Sequence, residues 1–185
     1  PASVIKALHV LCADPSNTVF VVSGDAQENV EAALGHIPGL GLAASNGATF
    51  SPPIPEGQQT TAAKRTWESF DLGVDWRAVK RVAEPIMFKY TARTNGSFVK
   101  LTHSSLGWSY YSCDPEWGLL QASHLMLELE TALRGYDVRF VTLKGVIEVV
   151  PRMLNKGLIV KKVLREVAEQ SGGGGGGGFV LCMGG

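Results

Sequence analysis

The chain has 185 residues, 45% of them hydrophobic, which suits one globular domain or one domain carrying a smaller inserted one. Seventeen basic side chains balance seventeen acidic ones, so the chain lacks the basic excess that is typical of nucleic-acid-binding proteins. Its apolar runs are far shorter than the roughly 20 residues of a membrane span, and its three scattered cysteines argue against a zinc site and favour a reducing, cytoplasmic setting.

The first 92 residues begin with alternating helical and strand patterns. Helical spacing at residues 2–13 precedes an apolar, β-branched run at residues 18–22. Helical spacing returns at residues 26–34, and a second strand-like run covers residues 39–44. This order predicts an α/β fold with a largely parallel sheet, in which the first strand is buried on both faces.

A less regular stretch follows within the same region. Residues 51–63 are polar, hold three prolines and show no period, which predicts a proline-rich loop. Residues 67–70 predict a short strand. Residues 75–91 predict a helix that Pro85 must kink or restart. We assign residues 1–92, with this loop, to part of one core.

Between residues 93 and 150 the pattern changes from α/β alternation to a β-β-α-β-β block. The predicted elements cover residues 97–103, 105–111, 115–133, 137–142 and 146–150. A block of this kind within an α/β chain predicts an inserted α/β cap (a lid) with an open-faced sheet.

Residues 151–185 return to the core pattern. Residues 155–167 predict a helix with Asn155 as its N-cap, and residues 179–183 predict a short apolar strand. Seven consecutive glycines at residues 172–178 lie between them. A phosphate-binding loop would need a Lys-Ser or Lys-Thr that opens a helix, so we interpret this run as an insert.

Three side chains are candidates for chemistry from their positions alone. Ser23 ends a strand, where a hydroxyl points into the crevice that binds ligands in open α/β sheets; the alternative is an ordinary Ser-Gly turn. Lys156 begins a helix whose free N–H groups favour anions; the alternative is a solvated lysine. Glu148 interrupts an apolar strand, which either a structural ion pair or a substrate contact would explain.

Several segments, taken in order, resemble the trehalose-6-phosphate phosphatase family of the haloacid-dehalogenase superfamily, especially the phosphatase-like C-terminal domain of trehalose-phosphate synthases. The resemblance implies a Rossmann-like parallel-sheet core with an inserted α/β cap. The segments that carry it are residues 14–24, 83–87 and 90–97, Trp108 with residues 114–116, and residues 147–149 and 155–157.

The resemblance also implies roles for individual residues. Ser23 is the hydroxyl that hydrogen-bonds the transferring phosphoryl group, and Lys156 neutralises the phosphate and the nucleophile. Glu148, Asn46 and Gly47 are substrate-binding residues. The last two occupy the place of the His and Gly in the family's Glu-His-Gly motif, which is Ser-Asn-Gly in this chain.

The family's nucleophile and general acid belong to an Asp-x-Asp motif, and an aspartate pair holds Mg²⁺. No Asp-x-Asp occurs in this sequence, and the chain ends where the aspartate pair would follow. We therefore expect a segment that is incomplete at both ends and cannot itself hydrolyse phosphate esters. By the same resemblance, Mg²⁺ would be bound only in a longer parent chain.

The chain also departs from the family pattern at substrate-reading positions. Asp25 replaces an arginine, Lys100 and Thr102 replace a Glu and a Lys, and residues 45–47 and 108–111 also differ. These departures favour a degenerate regulatory or structural module, a pseudophosphatase, with a possible synthase domain in the same chain. Its partner would be trehalose 6-phosphate or a related sugar phosphate. The alternatives are part of an active magnesium-dependent phosphatase truncated in this sequence, and a phosphatase for another sugar phosphate.

Overall fold

The computed structural model describes residues 2–54, 65–170 and 179–183. Within these ranges, five α-helices and two four-stranded sheets make up the regular structure. The elements are α1 (Ala2–Ala13), β1 (Val19–Val22), α2 (Gln27–Leu34), β2 (Leu40–Ala44), β3 (Thr49–Ser51), β4 (Glu68–Ser69), α3 (Trp76–Thr91), β5 (Phe98–Leu101), β6 (Leu106–Ser109), α4 (Pro115–Ala132), β7 (Val138–Leu143), β8 (Val146–Pro151) and α5 (Gly157–Gln170).

The first sheet has the order β1-β2-β3-β4. β1 and β2 pair in parallel, whereas β2, β3 and β4 pair antiparallel. The prediction of a largely parallel sheet is therefore correct only for the first pair. A short turn, Ser45–Gly47, returns the chain from β2 directly into β3, and this reversal imposes the antiparallel pairing.

The core of the first sheet is centred on β2, which is buried along its whole length. Leu40 and Leu42 pack with side chains of α1 and α2, while Ala43 packs on the opposite face with Phe50 and Ile159. β1 lies at the edge of the described sheet and is half-buried. Alternate side chains of β1 pack against these two clusters on opposite faces of the sheet, so both faces of the strand are covered as predicted, although its side chains are only half-buried.

The second sheet is antiparallel throughout and has the order β5-β6-β8-β7. Helices α3 and α4 cover one face through a single buried cluster that includes Met87, Trp108, Leu125 and Val149. The opposite face is open, as the β-β-α-β-β pattern predicts. Helix α3, which precedes residue 93, packs in this cluster and so covers the second sheet. The boundary between core and cap at residue 92 stays a prediction.

Helix α3 continues through Pro85 as one element, so the chain does not restart a helix there. The Asp75 carboxylate accepts the Ala78 N–H and caps the helix at its start. Helix α4 begins in the same manner, with Asp114 accepting the Trp117 N–H. These two acidic N-caps satisfy backbone donors that have no partner within their own helices.

Two predictions near the chain's irregular segments have different outcomes. The strand predicted at residues 67–70 is confirmed as the short β4. The strand predicted at residues 179–183 is wrong, because these residues have no regular structure and Phe179 is 88% exposed. An apolar run becomes a strand only beside a free edge with which it can pair, and no described strand pairs with this one.

Two further predictions fall largely or wholly outside the described residues. The glycine-run insert at residues 172–178 lies outside them, as does most of the proline-rich loop at residues 51–63; Ser51 itself ends β3. Among the described helices, none combines the length and the apolar character that crossing a membrane requires.

Gly145→Ala is expected to destabilise the second sheet. Lys144 and Gly145 form the turn between β7 and β8, and Gly145 has a φ of +74°. A Cβ there would lie 2.8 Å from the Tyr111 Cα. Because an L-residue in this conformation costs about 1–2 kcal/mol before any clash, we expect a loss of about 1–3 kcal/mol in unfolding free energy, measured by urea denaturation.

Gly135→Ala is the matched control for this substitution. A Cβ at Gly135 meets no atom within 4 Å, so the expected change is within about 0.5 kcal/mol. Equal losses for the two variants would show that the turn conformation at Gly145 is not the cause.

Candidate functional site

A cleft of about 330 Å³ lies between the open face of the second sheet and one end of the first sheet. Three sequence-predicted site residues, Asn46, Glu148 and Lys156, line this cleft together. The remaining lining residues are Arg139, Val141, Leu143, Val150, Leu154 and Asn155.

The carboxyl ends of β1 and β2 lead into two neighbouring turns, one of which carries the cleft residue Asn46. The Asn46 N–H donates to the Ser23 carbonyl oxygen at 2.9 Å, and the Ser45 N–H donates to the Asp25 carbonyl oxygen at 2.8 Å. Parallel strands end at the same edge of a sheet, which brings these two turns together. Ser23 itself is not among the lining residues, but it holds the backbone of one that is.

The hydroxyl of Ser23 is engaged locally. Its Oγ accepts the Asp25 N–H at 3.1 Å and lies 3.4 Å from the Asp25 Oδ2. This is the arrangement of a serine that closes a turn. The structure therefore shows the local Ser-Gly turn, while the phosphoryl-binding role of Ser23 stays a prediction.

The turn that presents Asn46 has an uncommon backbone conformation. Ser45 and Asn46 have φ values of 50° and 59°, in the left-handed region that asparagine tolerates better than most residues. Gly47, with a φ of 89°, lies under α5, where a Cβ would come within 3.2 Å of the Ile159 Cγ2. Gly47 is buried and lets α5 approach; it does not line the cleft, and its predicted sugar contact stays a prediction.

Lys156 lies at the start of α5 and is exposed. The preceding Asn155 accepts the Gly157 N–H through its side-chain Oδ1 at 2.9 Å, so it satisfies a backbone donor at the helix start, although α5 begins two residues after the predicted start. The Asn155 carbonyl also accepts the Leu158 N–H. This capped helix start places the Lys156 ammonium beside the N-terminus of α5, where both the helix dipole and the side chain favour an anion.

Glu148 is half-exposed on the open face of β8, between the buried side chains of Ile147 and Val149. Strand alternation explains the arrangement, since successive side chains point to opposite faces. In the part of the chain that the structure describes, no lysine, arginine or histidine forms an ion pair with this carboxylate. The structural ion pair considered from the sequence is therefore not seen there.

Arg139 is the cleft residue that the sequence did not indicate. It lies on β7, opposite Val150 of β8, and its Nη2 donates to the Leu154 carbonyl oxygen at 3.0 Å. An arginine that alternates with apolar residues on a strand reads as an ordinary exposed position. Only the register of β7 against β8 places it in the cleft.

The cleft therefore combines cations, a carboxylate, amides and apolar side chains. Guanidinium and ammonium groups suit an anionic ligand, and carboxylate and amide oxygens accept hydrogen bonds from hydroxyls. Within the described ranges, no group of three or more His, Cys, Asp or Glu side chains could hold a metal ion. The described residues thus do not supply a magnesium site.

The sequence profile of the trehalose-phosphatase family matches residues 1–185. The chain belongs to the trehalose-phosphatase family. Its likeness to a trehalose-6-phosphate phosphatase C-terminal domain of C. albicans has a TM-score of 0.69 at 30% identity, covering 89% of this chain and 53% of that one. The predicted family and haloacid-dehalogenase fold are confirmed.

Relatives in this family carry two kinds of name. A probable α,α-trehalose-phosphate synthase of Arabidopsis thaliana is 36% identical over 99% of this chain and 20% of its own length. A trehalose-phosphatase of Schizosaccharomyces pombe is 31% identical over 97% of this chain and 19% of its own. The chain thus spans about a fifth of the length of these relatives, and it is a trehalose-phosphatase-like domain related to both groups.

Proposed function

We propose that this domain binds trehalose 6-phosphate, or a related sugar phosphate, as a regulatory or structural module of a longer protein. The observation that carries the proposal is the meeting of Asn46, Glu148 and Lys156 in one cleft. An ammonium at a helix N-terminus suits the phosphate, and the carboxylate and amide suit the sugar hydroxyls.

A non-catalytic role is favoured by the surroundings of Ser23. Its hydroxyl is occupied by Asp25, whose carboxylate would repel a phosphoryl group where family members usually carry an arginine. Within the described residues, no group of three or more His, Cys, Asp or Glu side chains could hold a metal ion. Magnesium-dependent chemistry, expected from the resemblance, would therefore need residues beyond those described.

The second candidate function is that of part of an active trehalose-6-phosphate phosphatase. It is supported by Lys156, which lies at a helix start in the cleft as the family resemblance implies. The setting we propose for either function is a cytoplasmic protein with a synthase domain in the same chain. That setting is supported by the long synthase relatives and by three free cysteines.

The proposal is tested by isothermal titration of the chain with trehalose 6-phosphate, combined with a magnesium-dependent phosphate-release assay on the longer native protein. We expect saturable binding without release. Release at a rate proportional to chain concentration would establish the phosphatase instead. Absence of binding by a folded chain would refute the sugar-phosphate module.

A further inference from the structure

We propose that Arg139 is a second phosphate-binding residue of the cleft and also positions the segment that carries Lys156. This inference rests on the proposed function and names a contact of the same site. Its starting point is the hydrogen bond from the Arg139 Nη2 to the Leu154 carbonyl oxygen, two residues before Lys156. Both ends of this bond belong to residues that line the cleft.

The charge of Arg139 is available to a ligand. A guanidinium carries five N–H donors, and the bond to Leu154 uses one of them. No carboxylate lies within 4 Å of Arg139 in the described part of the chain, including Glu148 on the neighbouring strand. The sheet register explains this separation, because Arg139 pairs with Val150 and Glu148 pairs with Val141.

A half-buried, uncompensated guanidinium attracts an anion more strongly than a fully solvated one. Its planar donors match phosphate in pairs, and the bond to Leu154 already holds the side chain in one orientation. A phosphate between Arg139 and Lys156 would contact β7 of the second sheet and the start of α5 together. Arg139 on β7 would thus supply a positive charge for the phosphate, which Asp25, at the position where family members usually carry an arginine, does not.

The same hydrogen bond gives Arg139 a positioning role. Leu154 is buried, and its carbonyl belongs to the short connection that leads into α5. Tying that carbonyl to β7 fixes the distance between the second sheet and the Lys156 backbone. A ligand bound by both cations would find them already placed, which lowers the cost of ordering side chains on binding.

The test is titration of the whole chain and its variants with trehalose 6-phosphate, trehalose and inorganic phosphate. For Arg139→Met we expect a loss of roughly 10- to 100-fold in affinity for trehalose 6-phosphate, because a charged hydrogen-bonding group is removed. Affinity for trehalose should stay unchanged. Arg139→Lys should recover part of the loss, since lysine keeps the charge but not the paired donors.

Arg134→Met is the matched control, because Arg134 is exposed and lies outside the cleft. Should Arg139→Met fail to fold, Arg139→Lys provides the test instead. For that variant we expect the same thermal midpoint as the wild type and weaker phosphate binding. Unchanged trehalose 6-phosphate affinity in a folded Arg139 variant would overturn the inference alone. Equal losses for both sugars would also overturn it by indicating a purely structural residue. No ligand binding by the wild type would refute the proposed function and this role with it.

Discussion

Trp108→Ala is expected to lower the free energy of unfolding by about 3–5 kcal/mol, the range for removing a buried tryptophan. Trp108 is fully buried on β6, beneath α3 and α4. Its Nε1 donates to the Thr91 Oγ1 at 3.0 Å, and its ring stacks on Tyr110 at a centroid distance of 5.5 Å. A domain's total stability is about 5–15 kcal/mol, so this single change would remove a large part of it.

The measurement is urea denaturation followed by far-ultraviolet circular dichroism, which does not depend on the deleted fluorophore. Trp117→Ala is the matched control, since Trp117 is 46% exposed and its Nε1 donates to the Arg93 carbonyl oxygen. We expect the control to lose less than half as much stability. A loss below about 2 kcal/mol for Trp108→Ala would mean that the cluster collapses around the missing ring.

The order of elements was predictable because each has a clear local period. The helix predicted at residues 2–13 and the strand at residues 18–22 agree with α1 and β1 to within a residue. The pairing of β7 with β8 was also predictable, since the two strands flank a tight Lys-Gly turn. Such turns fix which strands pair, so local sequence is enough there.

Sheet membership depends on contacts that local sequence does not encode. β3 was not predicted, because it has only three residues and lies beside a proline-rich stretch, so its sequence shows no period. Its partner β4 was predicted, but nothing in the sequence indicated that the two strands pair. The position of α3 on the second sheet follows from Val79, Ala83 and Met87, which a period identifies as an apolar face without naming what that face covers.

The candidate site was predictable where family motifs fall on strand ends and helix starts. Glu148 and Lys156 carry such signals, and the structure brings them into one cleft with Asn46. Arg139 carries none, because its place depends on the pairing of Arg139 with Val150 and on the distance between two sheets. A register shift of one residue would have pointed the same side chain into the apolar cluster.

Lys156→Ala is expected to weaken trehalose 6-phosphate binding by roughly 10- to 100-fold, the equivalent of about 1.5–3 kcal/mol for a charged hydrogen bond. The reason is positional, since the ammonium and the N-terminus of α5 act on the same anion. Lys156 is exposed and in the described chain forms no ion pair, so unfolding free energy should change by no more than about 0.5 kcal/mol. If the longer native chain hydrolyses sugar phosphates, the same substitution should lower its rate by about 10²–10³-fold.

Lys161→Ala separates this local effect from a change in overall charge. Lys161 is exposed on the same helix but does not line the cleft. Its replacement by alanine removes the same charge as Lys156→Ala does. Titration with trehalose 6-phosphate should show a near wild-type affinity for Lys161→Ala and a large loss for Lys156→Ala. Equal losses would assign the effect to the field of the whole domain. Unchanged binding in Lys156→Ala would remove Lys156 from the site and leave Arg139 as the cation on which phosphate recognition depends.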